Sequence, residues 1–203
     1  KQRVNIYGNN RSTSKYIKSV FDLVQNNLKK THPRAANYSG STALCGIIAH
    51  DNNKNKIVWL ANVGDSRAVM SRGNKASQLT VDHKPNLTSE RKRIQNLGGS
   101  INYDGSDWRI KGYSLSRAFG DIDAKPFMSH MPNIYRYKLN KNDKFIIFAC
   151  DGLWDVLSNQ VAVNYVNNLL KKKYKGNVAK SLAEYAYKRG SYDNITVVLL
   201  YLQ

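Results

Sequence analysis

The stretch TALCGIIAHDNNKNKIVWLANVGDSRAV, residues 42–69, decides the fold. Thr42 to His50 is a mostly apolar run, Asp51 to Asn55 is rich in turn-forming residues, and Ile57 to Val63 is a second apolar run. Two such runs divided by a polar turn read as a β-hairpin. Gly64-Asp65 turns the chain into Ser66 to Ser71, and Gly73-Asn74 turns it again before Lys75 to Leu79. The natural reading is a meander of antiparallel strands.

Working outward, Ser12 to Lys30 carries Tyr16, Val20, Phe21, Leu23, Val24 and Leu28 near helical spacing. Ser12 or Thr13 suits its N-cap, and Lys29-Lys30 suits its C-terminal end. Downstream, Ser89 to Asn96 predicts a short helix stopped by Gly98-Gly99, and Asn102 to Lys111 reads as a polar surface loop. Strands are expected at Ile134 to Leu139 and Lys144 to Cys150, helices at Ser158 to Lys173 and Val178 to Arg189, and a last strand within Asn194 to Leu202. Helices segregated from antiparallel strands predict an α+β layered domain. At 203 residues, without repeat or linker, residues 1–203 are expected to form a single domain.

No run of 18 apolar residues occurs, so no membrane span is expected. Lys1 to Arg11 is polar and has no apolar signal core, which argues against secretion. Cys45 and Cys150 sit far apart inside apolar runs and read as buried free thiols. Together these give a cytoplasmic or nuclear expectation. The formal charge of +18 invites a nucleic-acid reading, yet lysine is spread through every kind of segment. Its tight cluster, Lys171, Lys172, Lys173 and Lys175, closes a helix, where cations favour the dipole. Nucleic acid is therefore not the expected main partner.

Fourteen acidic residues face 32 basic ones, so where each aspartate falls is informative. Asp65, Asp151, Asp155 and Asp193 all lie at the ends of apolar runs. A carboxylate emerging from a buried strand needs a cation or several donors to offset its desolvation. Oxygen ligands of this kind suit magnesium or manganese, whereas Asp-Gly and Asp-Asn are also ordinary turn dipeptides. The four histidines show no metal-ligand spacing and read as structural. No nucleophile elbow, phosphate-binding loop or dinucleotide fingerprint is present.

Several segments, taken in order, resemble the metal-dependent protein serine/threonine phosphatases of type 2C. They are Ser39-Gly40-Ser41-Thr42-Ala43, Ala61 through Gly64-Asp65-Ser66-Arg67-Ala68, Leu79 through Asp82-His83-Lys84-Pro85, and Glu90 through Arg93-Ile94. Gly98-Gly99, Leu115 through Asp121, Met131-Pro132, Ala149 through Val156 and Ser191 through Val197 complete the series. The resemblance runs from about residue 12 to 202. It implies an antiparallel two-sheet β-sandwich flanked by helices, with two magnesium or manganese ions activating a water that attacks a phosphoserine or phosphothreonine. By that resemblance Asp151 and Asp193 match ligands of the two-metal site, and Asp65 and Asp155, with Asp151, match a third, weaker metal site. Residues 102–111 fall where the family carries a variable flap, so Trp108, Arg109 and Lys111 are candidates for substrate contact.

The departure from the family lies before the first helix. Family members carry an early arginine and acidic ligand, then an Asp-Gly-His-Gly-Gly segment whose aspartate bridges both metals and whose histidine is a proposed general acid. Here the sequence is Val4-Asn5-Ile6-Tyr7-Gly8-Asn9-Asn10. Aligned on Gly8, whose carbonyl remains a candidate metal ligand, Tyr7 takes the bridging position and Asn9 the histidine position. A phenol of pKa about 10 does not replace a bridging carboxylate, and an asparagine donates no proton to a leaving alkoxide. By that comparison the early strand of the family pattern is expected to be missing. The expectation is a phosphatase-like chain with an incomplete magnesium or manganese site and impaired catalysis. The alternative is a pseudophosphatase that binds phosphoserine or phosphothreonine proteins, or another protein partner, as a scaffold.

Overall fold

The computed structural model describes residues 10–202. In chain order its helices are α1 (Asn10–Thr31), α2 (Pro33–Tyr38), α3 (Thr88–Asn96), α4 (Asp151–Trp154), α5 (Asn159–Lys171) and α6 (Val178–Lys188). The strands are β1 (Gly40–Ser41), β2 (Ala43–His50), β3 (Lys56–Val63), β4 (Arg67–Arg72), β5 (Lys75–Gln78), β6 (Asn102–Tyr103), β7 (Trp108–Arg109), β8 (Phe119–Gly120), β9 (Asn133–Lys138), β10 (Asp143–Ala149) and β11 (Val197–Tyr201). They divide into two compact units, residues 10–65 with 82–138 and residues 66–81 with 139–202. Each unit holds its own antiparallel sheet with its own helices, as the α+β reading expected. Among the described residues no helix is long and apolar enough to cross a membrane.

In the first unit the sheet order is β2-β3-β9. The expected hairpin is present, with Ala43 opposite Val63 and His50 opposite Lys56. β3 lies between two partners and is buried from Ile57 to Val63. That explains its unbroken apolar run, because a central strand has no solvent face. Ile57, Trp59, Ala61 and Val63 alternate onto one face and pack against Ile17 and Phe21 of α1. β2 is an edge strand, and Cys45 is exposed there, which corrects the expectation of a buried thiol.

The second unit has the order β11-β10-β4-β5. The expected meander therefore breaks at Gly64-Asp65. β3 pairs with β9 while β4 pairs with β10, and both partners arrive more than sixty residues later in the chain. Phe145, Ile147 and Ala149 of β10 share a core with Leu153, Val163, Val166, Leu182 and Ala186 of the helices. The starts of α5 and α6 are capped by side chains. Ser158 Oγ accepts from Val161 N at 3.3 Å, and Asn177 Oδ1 accepts from Lys180 N at 3.0 Å.

Leu182 is fully buried in that core. Leu182→Ala is expected to destabilise the protein by about 2–5 kcal/mol, since the helix–sheet packing leaves a cavity that closes only in part. Leu170→Ala, on the exposed side of α5, is expected to cost under about 1 kcal/mol. Urea unfolding of both variants checks this, and equal losses would contradict the assignment of the core.

Candidate active site

Asp151, Asp155 and Asp193 belong to the second unit. Asp151 follows the buried end of β10 and opens the one-turn helix α4, where its Oδ1 accepts from Gly152 N at 3.0 Å. Two loops are fastened together here. Cys150 N donates to Thr196 O at 3.3 Å, and Ser191 Oγ donates to Gly152 O at 2.6 Å. The approach needs a glycine, because a Cβ on Gly152 would fall 2.4 Å from Asn194 O. The result is a cleft of about 380 Å³ lined by Gly152, Asp155, Val156, Gly190, Ser191, Tyr192 and Asp193. Asp155 and Asp193 are exposed and Asp151 is half-buried. One oxygen of Asp193 is engaged by Asn194 N at 2.6 Å.

Asp65 lies in the first unit, just past the end of β3. Its side chain is 3% exposed, and Oδ2 lies 2.7 Å from Lys84 Nζ. That ammonium also approaches Asp107 at 3.9 Å. Lys84 is carried by a loop fixed to the same turn, since His83 N donates to Gly64 O at 3.0 Å and Gly64 N donates to His83 Nδ1 at 3.1 Å. Burial, then the nearby Arg117, push the His83 imidazole down to about 4, so it is neutral at physiological pH.

Sequence reasoning placed Glu90, Arg93 and Arg117 only as motif members, yet they form the most densely connected polar group of this unit. Glu90, 1% exposed, accepts from Arg117 Nη2 at 2.5 Å, from Arg93 Nη2 at 2.9 Å and from Ser116 Oγ at 2.9 Å. Arg117 also reaches Met131 O at 2.7 Å and Asn133 Oδ1 at 3.0 Å. Burial raises the Glu90 carboxyl, but Arg117 and Arg93 outweigh it and hold the group at about 2. The signal in the sequence was the acid itself, opening a helix in a chain so poor in acids.

Residues 102–111 are more ordered than the expected loop. Strands β6 and β7 form a small hairpin, because Asp104 Oδ1 accepts from Ser106 N and Asp107 N at 2.9 and 2.8 Å across Gly105. Arg109 pairs with Asp104, and Arg91 of α3 stacks 4.9 Å from the Trp108 ring. Lys111 Nζ donates to Asp123 O at 2.9 Å. The candidate contact residues of this flap are thus engaged within the first unit.

The described residues alone do not make up a two-metal centre. Among the described residues, no three His, Cys, Asp or Glu side chains are grouped to hold a metal ion. Asp65 has an ammonium where a metal would approach. Gly8, with Tyr7 and Asn9, lies outside the described residues.

The Protein phosphatase 2C family pattern matches residues 2–195. The chain is 36% identical over 174 residues to "PP2C-like domain-containing protein R307" of Acanthamoeba polyphaga mimivirus, covering 74% of this chain and 97% of that protein. It is 40% identical over 189 residues to "Probable protein phosphatase 2C 69" of Arabidopsis thaliana, covering 93% of this chain and 51% of the relative. Among solved structures it is similar to the serine-threonine phosphatase 2C from Toxoplasma gondii, with a TM-score of 0.82 and 27% identity, covering 95% of this chain and 68% of that one. The chain thus spans nearly all of the viral relative and about half the length of the plant one.

Two of the perturbed groups of the first unit, His83 and Glu90, give stability distinct pH windows. An unfolded histidine takes its proton near 6.5, and His83 resists until about 4, so the unfolded chain binds more protons between those values. Stability is expected to fall as pH drops from about 6.5 to about 4. Glu90, at about 2 against an ordinary 4.5, contributes above 4.5 and loses its contribution as pH falls through about 2. Each window is worth on the order of 3 kcal/mol. Urea unfolding against pH is expected to show both slopes, with His83→Gln flattening the upper and Glu90→Gln the lower. A wild-type profile flat from pH 6.5 to 4 contradicts the burial of a neutral imidazole.

Proposed function

Because the chain belongs to the protein phosphatase 2C family, we propose that it engages phosphoserine and phosphothreonine proteins and that its own phosphomonoester hydrolysis is impaired. The observation that carries this reading is the donor set. Tyr7 and Asn9 stand at the positions of the bridging aspartate and the proton-donating histidine, and no three-ligand group exists among the described residues to replace them. Magnesium or manganese is the cofactor class the family implies. What the chain keeps is the cleft beside Asp155 and Asp193, built on loops tied together at Gly152.

A second reading, a pseudophosphatase scaffold, is favoured by the charge. With 32 basic and 14 acidic residues, the chain attracts acidic or phosphorylated partners at long range. Phosphate oxygens on such a partner are natural acceptors for its lysines and arginines.

Turnover of a small aryl phosphate and a phosphothreonine peptide at millimolar manganese tests the impairment, with Asp151→Ala as control. The expected result is no turnover above that control, while the repair variant Tyr7→Asp with Asn9→His gains about 100-fold or more. Wild-type turnover that Asp151→Ala abolishes would sink the impairment. Retained peptide binding without turnover, read by fluorescence anisotropy, would favour the scaffold reading.

A further inference from the structure

We propose that Lys84 is the built-in counter-cation of Asp65, and that it closes this carboxylate to divalent metal ions in this chain. The family resemblance assigns Asp65 to a metal; the geometry around it points to an internal ammonium instead. A carboxylate with 3% of its side chain exposed has lost its water and requires a cation or several donors. Asp65 Oδ2 is buried and accepts no well-directed hydrogen bond from the described residues, and the cation it meets is Lys84 Nζ, an ion pair 2.7 Å away.

Three features make this pair a fixture of the fold. Gly64 takes φ +98°, which turns the chain sharply after β3, and a Cβ there would lie 2.4 Å from the Thr42 side chain. The two hydrogen bonds between Gly64 and His83 fasten the loop that carries Lys84 to the turn that carries Asp65. Asp107, 3.9 Å from Lys84 Nζ, adds a second negative charge on the hairpin. The lysine thus reaches both carboxylates from a fixed base.

The chemistry then decides between lysine and metal. A protonated ammonium has three donors and no lone pair, so it cannot join a coordination shell. A magnesium or manganese ion sits about 2.0–2.2 Å from its carboxylate oxygens. At that distance from Asp65 it meets the ammonium as a like charge and must first displace it. Displacement also breaks the approach to Asp107. The pair therefore leaves the Asp65 charge compensated without metal, whether or not the chain hydrolyses phosphoesters.

Manganese titration of the whole chain, with free Mn²⁺ read by electron paramagnetic resonance, tests this without any activity measurement. Wild type and Asp65→Asn are expected to bind manganese alike, within about twofold. Lys84→Met is expected to bind one further manganese, or to bind about tenfold more tightly, and Lys84→Met with Asp65→Asn is expected to lose that gain. Lys84→Gln serves if the methionine variant does not fold, as judged by circular dichroism. A tenfold loss of binding in Asp65→Asn alone would overturn the proposal. So would a folded Lys84 variant that binds manganese as wild type does.

Discussion

A carboxylate taken out of water needs a cation or several donors beside it, and much of this structure's polar architecture follows from that constraint. Asp65, Glu90, Asp121 and Asp143 are the buried acids. Lys84 meets Asp65, Arg117 and Arg93 meet Glu90, and Arg72 meets Asp143 at 2.7 Å. Asp121 is raised by its burial and by Asp123, with Lys125 opposing. The Lys84–Asp65, Arg117–Glu90 and Arg72–Asp143 pairs join segments distant in sequence, so these cations serve as fasteners as well as counter-charges. Removing one partner leaves an uncompensated buried charge, which costs far more than the net worth of the pair.

The same constraint separates scaffold from chemistry. In the second unit the loops around Asp151 and Asp193 are held by main-chain contacts, by Ser191 and by the absence of a side chain at Gly152. None of these contacts needs a metal. The cleft can thus persist as a shape even where the ligand set for hydrolysis has changed.

Local patterning revealed the hairpin of β2 and β3, the helices expected over Ser158 to Lys173 and Val178 to Arg189, and the acids that end the strands, because each depends on neighbours a few residues away. The change of sheet at Gly64-Asp65 was not legible, since β9 and β10, the partners that β3 and β4 take in their separate sheets, lie far downstream. Cys45 looked buried because its strand is apolar, and only the sheet order shows that the strand is an edge. Lys84 was legible as a motif residue but not as the partner of an acid nineteen positions earlier. Arg117 was hidden in the same way, its partner Glu90 being 27 residues away. The order of the segments, not any one of them, is what pointed to the family.

The most direct test of this account is an anomalous difference map from crystals grown in manganese chloride. The account predicts no manganese peak on the Asp65 carboxylate, with Lys84 Nζ within hydrogen-bonding distance of it. A manganese peak bound to Asp65, with Lys84 turned away, would contradict the claim that this chain's buried acids are satisfied by its own cations.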